Sequence, residues 1–124
     1  MKRRAGLRPA LFAVTFFAAF LFPACHSYHI DATIENRTGA PIQLLEVDYP
    51  SASFGVDSLA AGARFHYRFQ VLGSGQLKIS YTAASGQTVQ ISGPALVERQ
   101  QGELEIVLEP GGKAEFLPRL TPPA

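Results

Sequence analysis

Residues 64–71 read Arg-Phe-His-Tyr-Arg-Phe-Gln-Val, an unbroken alternation of apolar and polar side chains. Successive side chains of a strand point to opposite faces, so Phe65, Tyr67, Phe69 and Val71 share one surface and Arg64, His66, Arg68 and Gln70 the other. The same period of two runs through most of the chain beyond residue 25, and no 3.6-residue apolar repeat competes with it there. A chain patterned this way must build sheets with one face turned inward.

The other segments repeat the pattern with turn signals between them. Ile30, Ala32 and Ile34 alternate with Asp31, Thr33 and Glu35 before the Asn36-Arg37-Thr38-Gly39 turn. Ile42 and Leu44 continue one face, but Leu45, Val47 and Tyr49 carry the apolar phase one residue later, which predicts either a bulge near Leu44 and Leu45 or a strand buried on both sides. A loop at residues 50–53 leads to a short strand with Phe54, Val56 and Leu59. Gly73-Ser74-Gly75 reverses the chain into Leu77, Ile79 and Tyr81, and Ser85-Gly86 turns it again into Val89 and Ile91. After Gly93-Pro94 and the polar run 98–102, Leu104, Ile106 and Leu108 make a last strand. Six or seven strands at about ten-residue spacing predict an all-β, immunoglobulin-like antiparallel sandwich over residues 30–109, with a small β-barrel as the alternative. Pro110, Gly111 and Gly112, then three prolines within residues 117–124, make residues 110–124 read as a flexible tail.

The N-terminus has a different logic. Lys2, Arg3, Arg4 and Arg8 precede an apolar run from Ala10 to Phe22 that Pro23 stops, the layout of an export signal. As a helix those residues reach only about 20 Å, short of the ~30 Å hydrocarbon core of a bilayer, so the run is a poor permanent span. Cutting before Cys25 places Ala24 at −1, which suits an ordinary signal peptidase, and Phe22 at −3, which is too large for one. Phe22-Pro23-Ala24-Cys25 instead resembles the lipobox of bacterial lipoprotein precursors: a large apolar residue at −3, a small one at −1 and Cys at +1. Phe stands where Leu is usual, and Pro where Ala or Ser is usual. The resemblance implies a helical signal peptide over residues 1–24, a lipidated tether over residues 25–29, and diacylglycerol in thioether linkage to Cys25, often with acylation of its amine. A thioether cannot form the thiolate that binds metals or attacks substrates. His26 at the next position, where Asp marks retention at the inner membrane in some bacteria, points to the outer membrane, facing the periplasm. The segments "YPSASFG" and "RFHYRFQVLGSGQLKISY" resemble uncharacterised small envelope lipoproteins, a likeness that carries no activity.

Four of the 11 basic residues precede Cys25 and none of the 10 acidic ones does, so a chain starting there carries 7 against 10, a net charge of −3. Its basic residues are scattered, which removes the electrostatic footprint of nucleic-acid binding. A single cysteine excludes an internal disulfide, and the domain must rest on its core.

Several constellations invite chemistry. Arg64, His66 and Arg68 stand about 7 Å apart along one strand face and suit a phosphate, sulfate or acidic sugar, with binding that strengthens as His66 protonates near pH 6. The plainer expectation is cross-strand pairing with carboxylates such as Glu46 and Asp48 or Glu103 and Glu105. Glu103 and Glu105 alternate cleanly with Leu104 and Ile106, so both should be solvated, and nothing nearby separates their pKa values for hydrolysis. Ser51, Ser53 and Ser58 lie outside any nucleophile elbow, with His66 the only base away from the tether. A Gly73-Ser74-Gly75 phosphate loop lacks the helix N-terminus behind it. A blue-copper centre would need a free Cys and an axial Met, and the only Met is Met1. With Cys25 lipidated, His26, His29 and His66 fall short of a zinc site. Asn36-Arg37-Thr38 matches a glycosylation sequon but reads better as a turn. Tyr49 and Phe54 flank the 50–53 loop, either as a partner contact or as plugs closing one end of the sandwich.

The sequence therefore predicts a lipid-anchored envelope protein with a non-catalytic sandwich that binds the membrane through its anchor and an envelope protein through its surface. No nucleic acid, no metal and no cofactor beyond the covalent lipid are expected. The alternative is a module that takes an anionic glycan or small anion on Arg64, His66 and Arg68.

Overall fold

A computed structural model of the chain describes residues 28–121. The signal-like segment, Cys25 and His26 lie outside the described residues, as do residues 122–124. Among the described residues eight strands follow one another without a helix: β1 (Ile30–Asn36), β2 (Ile42–Tyr49), β3 (Ala52–Leu59), β4 (Arg64–Phe69), β5 (Gly75–Thr82), β6 (Thr88–Leu96), β7 (Gln101–Glu109) and β8 (Lys113–Thr121). They form two four-stranded sheets, ordered β4-β1-β7-β8 and β3-β2-β5-β6. Neighbours are antiparallel except β1 and β7, which run parallel with Ile30 beside Gly102 and Asn36 beside Leu108. Neither sheet closes on itself. The architecture is the two-sheet sandwich, and the barrel alternative is set aside.

The alternation read from the sequence supplies the core. Ile30, Ala32 and Ile34 of β1 and Leu104, Ile106 and Leu108 of β7 form the centre of one inner face; Val47, Leu77 and Ile79 belong to the other. All are essentially excluded from solvent. Burial at about 25 cal/mol per Å² of apolar surface makes this layer the main stabilising term.

Two irregularities keep that phase intact. Between Gln43 and Glu46 the β2–β5 register slips by one residue, and Leu44 takes a φ of 54° with its side chain 64% exposed. Of the two readings of Leu44 and Leu45 this is the bulge; it returns Leu45, Val47 and Tyr49 to the inner face. A second slip lies between Gln76 and Lys78 of β5, where β6 inserts an extra residue at Gly93-Pro94. These residues do not end the strand: a bulge leaves a residue unpaired, so Pro94 lacks nothing by having no N–H. A Cβ at Gly93 would come within 2.9 Å of Leu77 and Phe116 side-chain atoms, so those side chains would have to shift to accept one.

Two expectations are corrected. Residues 50–53 are not a loop; β2 and β3 are joined by a tight turn at Pro50 and Ser51, with Tyr49 opposite Ala52. Most of the 110–124 segment is not a tail, since residues 113–121 form β8, paired with β7 from Lys113 opposite Glu109 to Thr121 opposite Gln101. Pro118 is tolerated because β8 is an edge strand and need not donate on both sides. The sandwich therefore extends to residue 121 with eight strands in place of six or seven.

All strands run lengthwise, so the connections gather at two ends. At the far end, Asn36 is fully buried and ties the β1–β2 connection to the β3–β4 connection. Its Nδ2 lies 2.9, 3.0 and 3.2 Å from the carbonyl oxygens of Ala40, Leu59 and Ala60, and its Oδ1 accepts from the Thr38 N–H at 3.0 Å. A buried amide engaged in this way leaves no nitrogen for a glycan, in keeping with the turn reading of Asn36-Arg37-Thr38. At the opposite end Tyr28 and His29 lead into β1, and the His29 carbonyl accepts from the Gly102 N–H at 3.1 Å. The 70–74 and 97–100 connections lie at this same end.

Candidate functional site

The outer face of sheet β4-β1-β7-β8 gathers the charged side chains. On β1, Asp31, Thr33 and Glu35 alternate outward; the register sets Arg68 beside Asp31, His66 beside Thr33 and Arg64 beside Glu35. On the other flank Asp31 meets Glu103 and Thr33 meets Glu105, and β8 adds Arg119 beside Glu103 and Leu117 beside Glu105. Across the four strands this makes a row of cation, carboxylate, carboxylate, cation, and beside it a row of imidazole, hydroxyl, carboxylate and leucine.

The cationic stripe is thus placed on an edge strand and paired. Arg64 lies 3.4 Å from Glu35, Arg68 3.6 Å from Asp31, and His66 Nε2 3.8 Å from Asp31, the last an ion pair only when the imidazole is protonated. Arg119 meets Glu103 at 3.0 Å. Cross-strand pairing is the plainer of the two readings of the stripe, but its partners are Asp31 and Glu35. Glu46 and Asp48 belong to the other sheet, and Glu103 and Glu105 lie one strand too far. Asp31 and Glu35 have the same four-residue spacing as Arg64 and Arg68, which was visible in the sequence; that β1 and β4 are neighbours was not.

Glu35 is the best-anchored of these groups. It is 8% exposed and accepts from Arg37 Nε at 2.9 Å as well as lying near Arg64. The hydrogen bond from Arg37 holds its carboxyl below the usual range; enclosure opposes this, and the charges of Arg37 and Arg64 reinforce it. Reciprocally, the Arg37 guanidinium is pushed up by its hydrogen bond to Glu35, with the charges of Glu35, Glu105 and Glu109 adding to it.

Between the flanks the face is hollowed into an open groove of about 900 Å³. Its floor is Asp31, Thr33, Glu103 and Glu105, one wall carries Arg64 and His66, and the other is formed by Leu117, Pro118 and Arg119 of β8. The β8 wall was invisible to sequence reasoning because Gly111 and Gly112 before it, Pro118 within it and the prolines after it resemble a tail. Chemically the groove offers carboxylate acceptors at the centre and guanidinium donors at the rims. It suits a polar, charge-bearing surface better than a simple anion.

The remaining expected positions fall elsewhere. Tyr49 and Phe54 do not present a loop surface: they join Phe65, Tyr67 and Phe69 in an aromatic cluster along the β3–β4 side of the sandwich. Phe54 stacks on Tyr67 at 4.3 Å and 17°, Tyr49 meets Phe69 at 4.3 Å, and Phe54 is 7% exposed. Phe54 is buried in this cluster and Tyr49 half-buried against it. Burial raises the Tyr49 hydroxyl pKa, with a smaller contribution from Tyr67, and burial alone raises that of Tyr81. Ser51 Oγ accepts from the Leu72 N–H at 3.3 Å, a turn-stabilising role. Among the described residues no group of three or more His, Cys, Asp or Glu could hold a metal ion.

No protein-family model matches the chain, and no curated protein does. The sandwich is similar to the NMR structure of a protein from Eubacterium rectale, with a TM-score of 0.53 and 13% identity, covering 72% of this chain and 86% of that one. A likeness at this identity is one of fold.

Proposed function

We propose that the protein is a lipid-anchored component of the bacterial cell envelope, held by diacylglycerol on Cys25, whose sandwich is a non-catalytic interaction module. The observation that carries the reading is where the fold begins. β1 starts at Ile30, five residues beyond Cys25, so processing before Cys25 removes none of the described strands and leaves a tether of only a few residues. The sequence supports the same cut: a basic start, an apolar run too short to span, and the lipobox-like Phe22-Pro23-Ala24-Cys25. His26 after the modified cysteine favours the outer membrane, facing the periplasm.

The interaction is assigned to the groove on the outer face of sheet β4-β1-β7-β8, where charges of both signs alternate across the strands. Complementary charge there would steer and orient an envelope protein partner more than it would tighten the complex. Capture of an acidic glycan or small anion by Arg64, His66 and Arg68 is the weaker reading, because a ligand would have to displace Asp31 and Glu35 from the same cations. Catalysis is weaker still: His66 stands on an open strand face with its side chain 60% exposed and a carboxylate, not a serine, beside it.

Intact mass spectrometry of the protein purified from its native membrane tests the anchor. The expected species starts at Cys25 and carries diacylglycerol, and Cys25→Ser should leave an unprocessed or soluble chain. An unmodified Cys25, or normal processing and membrane retention of Cys25→Ser, would overturn the reading.

A further inference from the structure

Five large apolar side chains are prominently exposed in the described residues, and two of them, Leu72 at 63% and Val97 at 39%, sit at the end from which Tyr28 emerges. Their loops form one unit. The Arg99 N–H donates to the Val71 carbonyl at 3.2 Å, the Glu98 N–H to Ser74 Oγ at 3.4 Å, and the Leu72 N–H to Ser51 Oγ. The Arg99 guanidinium lies 5.9 Å from the centre of the Tyr28 ring, which fixes this unit beside the incoming chain.

We propose that this end of the sandwich rests on a phospholipid surface, with Leu72 and Val97 entering the headgroup layer and Arg99 meeting lipid phosphates. The inference rests on the lipidation of Cys25 put forward above. Covalent reach chooses the occupant: three peptide steps separate Cys25 from Tyr28, at most about 11 Å of extended chain. A diacylglycerol on Cys25 therefore holds the 70–74 and 97–100 loops against the bilayer and leaves no room for a protein between them. Because the anchor is intramolecular, the effective concentration of membrane at these loops is high, and modest apolar contact suffices to orient the domain. Arg99 supplies a local contact to lipid phosphates, while Glu98 beside it leaves the loop without net charge. The strands then stand upright on the membrane, and the groove of sheet β4-β1-β7-β8 opens sideways, parallel to the bilayer, at the height of a neighbouring envelope protein.

The test uses the full mature protein, purified from its membrane and reconstituted in phosphatidylethanolamine and phosphatidylglycerol vesicles. Leu72→Cys, Val97→Cys and, at the far end, Ser85→Cys are each labelled with an environment-sensitive fluorophore, and quenching by lipids carrying a nitroxide at the headgroup is measured. At Leu72 and Val97 several-fold more quenching than at Ser85 is expected. Equal quenching at all three sites, in protein whose mass confirms diacylglycerol on Cys25 and a single label, would overturn the inference and leave the anchor standing. Two labels per chain would reveal a free Cys25 thiol and overturn both. All three positions are exposed, so the substitutions leave the core untouched.

Discussion

The two ends of the sandwich are finished in opposite ways. At the far end a buried asparagine satisfies the backbone of two connections and Glu35 locks the first of them to β4 through Arg37 and Arg64. Towards the end where Tyr28 emerges, the β3–β4 side of the interior is closed by aromatic rings, and the rim exposes Leu72 and Val97 among polar side chains. Polar closure is worth having where water is the only neighbour, because every buried N–H and C=O there needs a partner. Exposed apolar side chains on a rim suit an end where another surface takes the place of water. The contrast separates what holds the fold from what the fold is for.

If aromatic sealing is structural, Phe54→Ala should have the largest effect of any single change at that end. Removing a nearly buried ring that contacts Tyr49, Phe65, Tyr67 and Phe69 should cost about 3–5 kcal/mol in chemical denaturation. A loss below about 1 kcal/mol would show that the ring is dispensable and return the cluster to the binding surfaces. The polar seal comes next. Asn36→Ala strands carbonyl oxygens of Ala40, Leu59 and Ala60 and should cost about 2–3 kcal/mol, read as a fall in Tm of more than about 10 °C. Asn36→Asp should fare no better, since a carboxylate cannot donate to those carbonyls; a near-native Tm for it would break the assignment.

The Glu35 lock has a sign in pH. Its carboxyl in the folded protein lies below the ordinary value of 4.5, chiefly through the Arg37 hydrogen bond, so the unfolded chain binds a proton first as pH falls. The stabilisation is present above that ordinary value and is lost as pH drops through the lowered folded one. Glu35→Gln should therefore flatten the decline of the urea midpoint below about pH 4.5 while lowering it at neutral pH. Parallel profiles for the two proteins would mean that the lock contributes nothing.

How much of this was legible follows from what each feature depends on. The strands at 30–36, 64–69 and 101–109 depend on side-chain period alone, and the sequence shows that period directly; the phase change at Leu44 and Leu45 was equally visible, but fitted a strand buried on both sides as well as the bulge that forms. β8 depends on being an edge: Pro118 argues against a strand unless one side of it is free, and edges cannot be told from centres until the sheet order is known. The same ignorance hid the partners of Arg64, His66 and Arg68. Asp31 and Glu35 are some thirty residues away in the chain and become neighbours only through the β1–β4 pairing. The groove needs both pieces, β4 on one flank and β8 on the other, so its residues could be suspected singly but not assembled. Gly93-Pro94 misleads for a related reason, since the same dipeptide that ends a strand in isolation makes a bulge where Leu77 and Phe116 close over it.

The smallest expected effect is the most discriminating. Leu72→Asp changes a side chain that is 63% exposed and whose backbone N–H, not its side chain, makes the bond to Ser51. By the behaviour of surface positions its stability should shift by no more than about 0.5 kcal/mol, in contrast to Phe54→Ala only a strand away in space. The same change sets a carboxylate against the headgroup phosphates of an anchored protein. Protease protection of the adjoining 97–100 loop on vesicles should then fall, while that of the unanchored domain stays as it was. A large loss of stability in solution would mean that Leu72 belongs to the seal after all, and the two ends of the sandwich would then differ in chemistry but not in purpose.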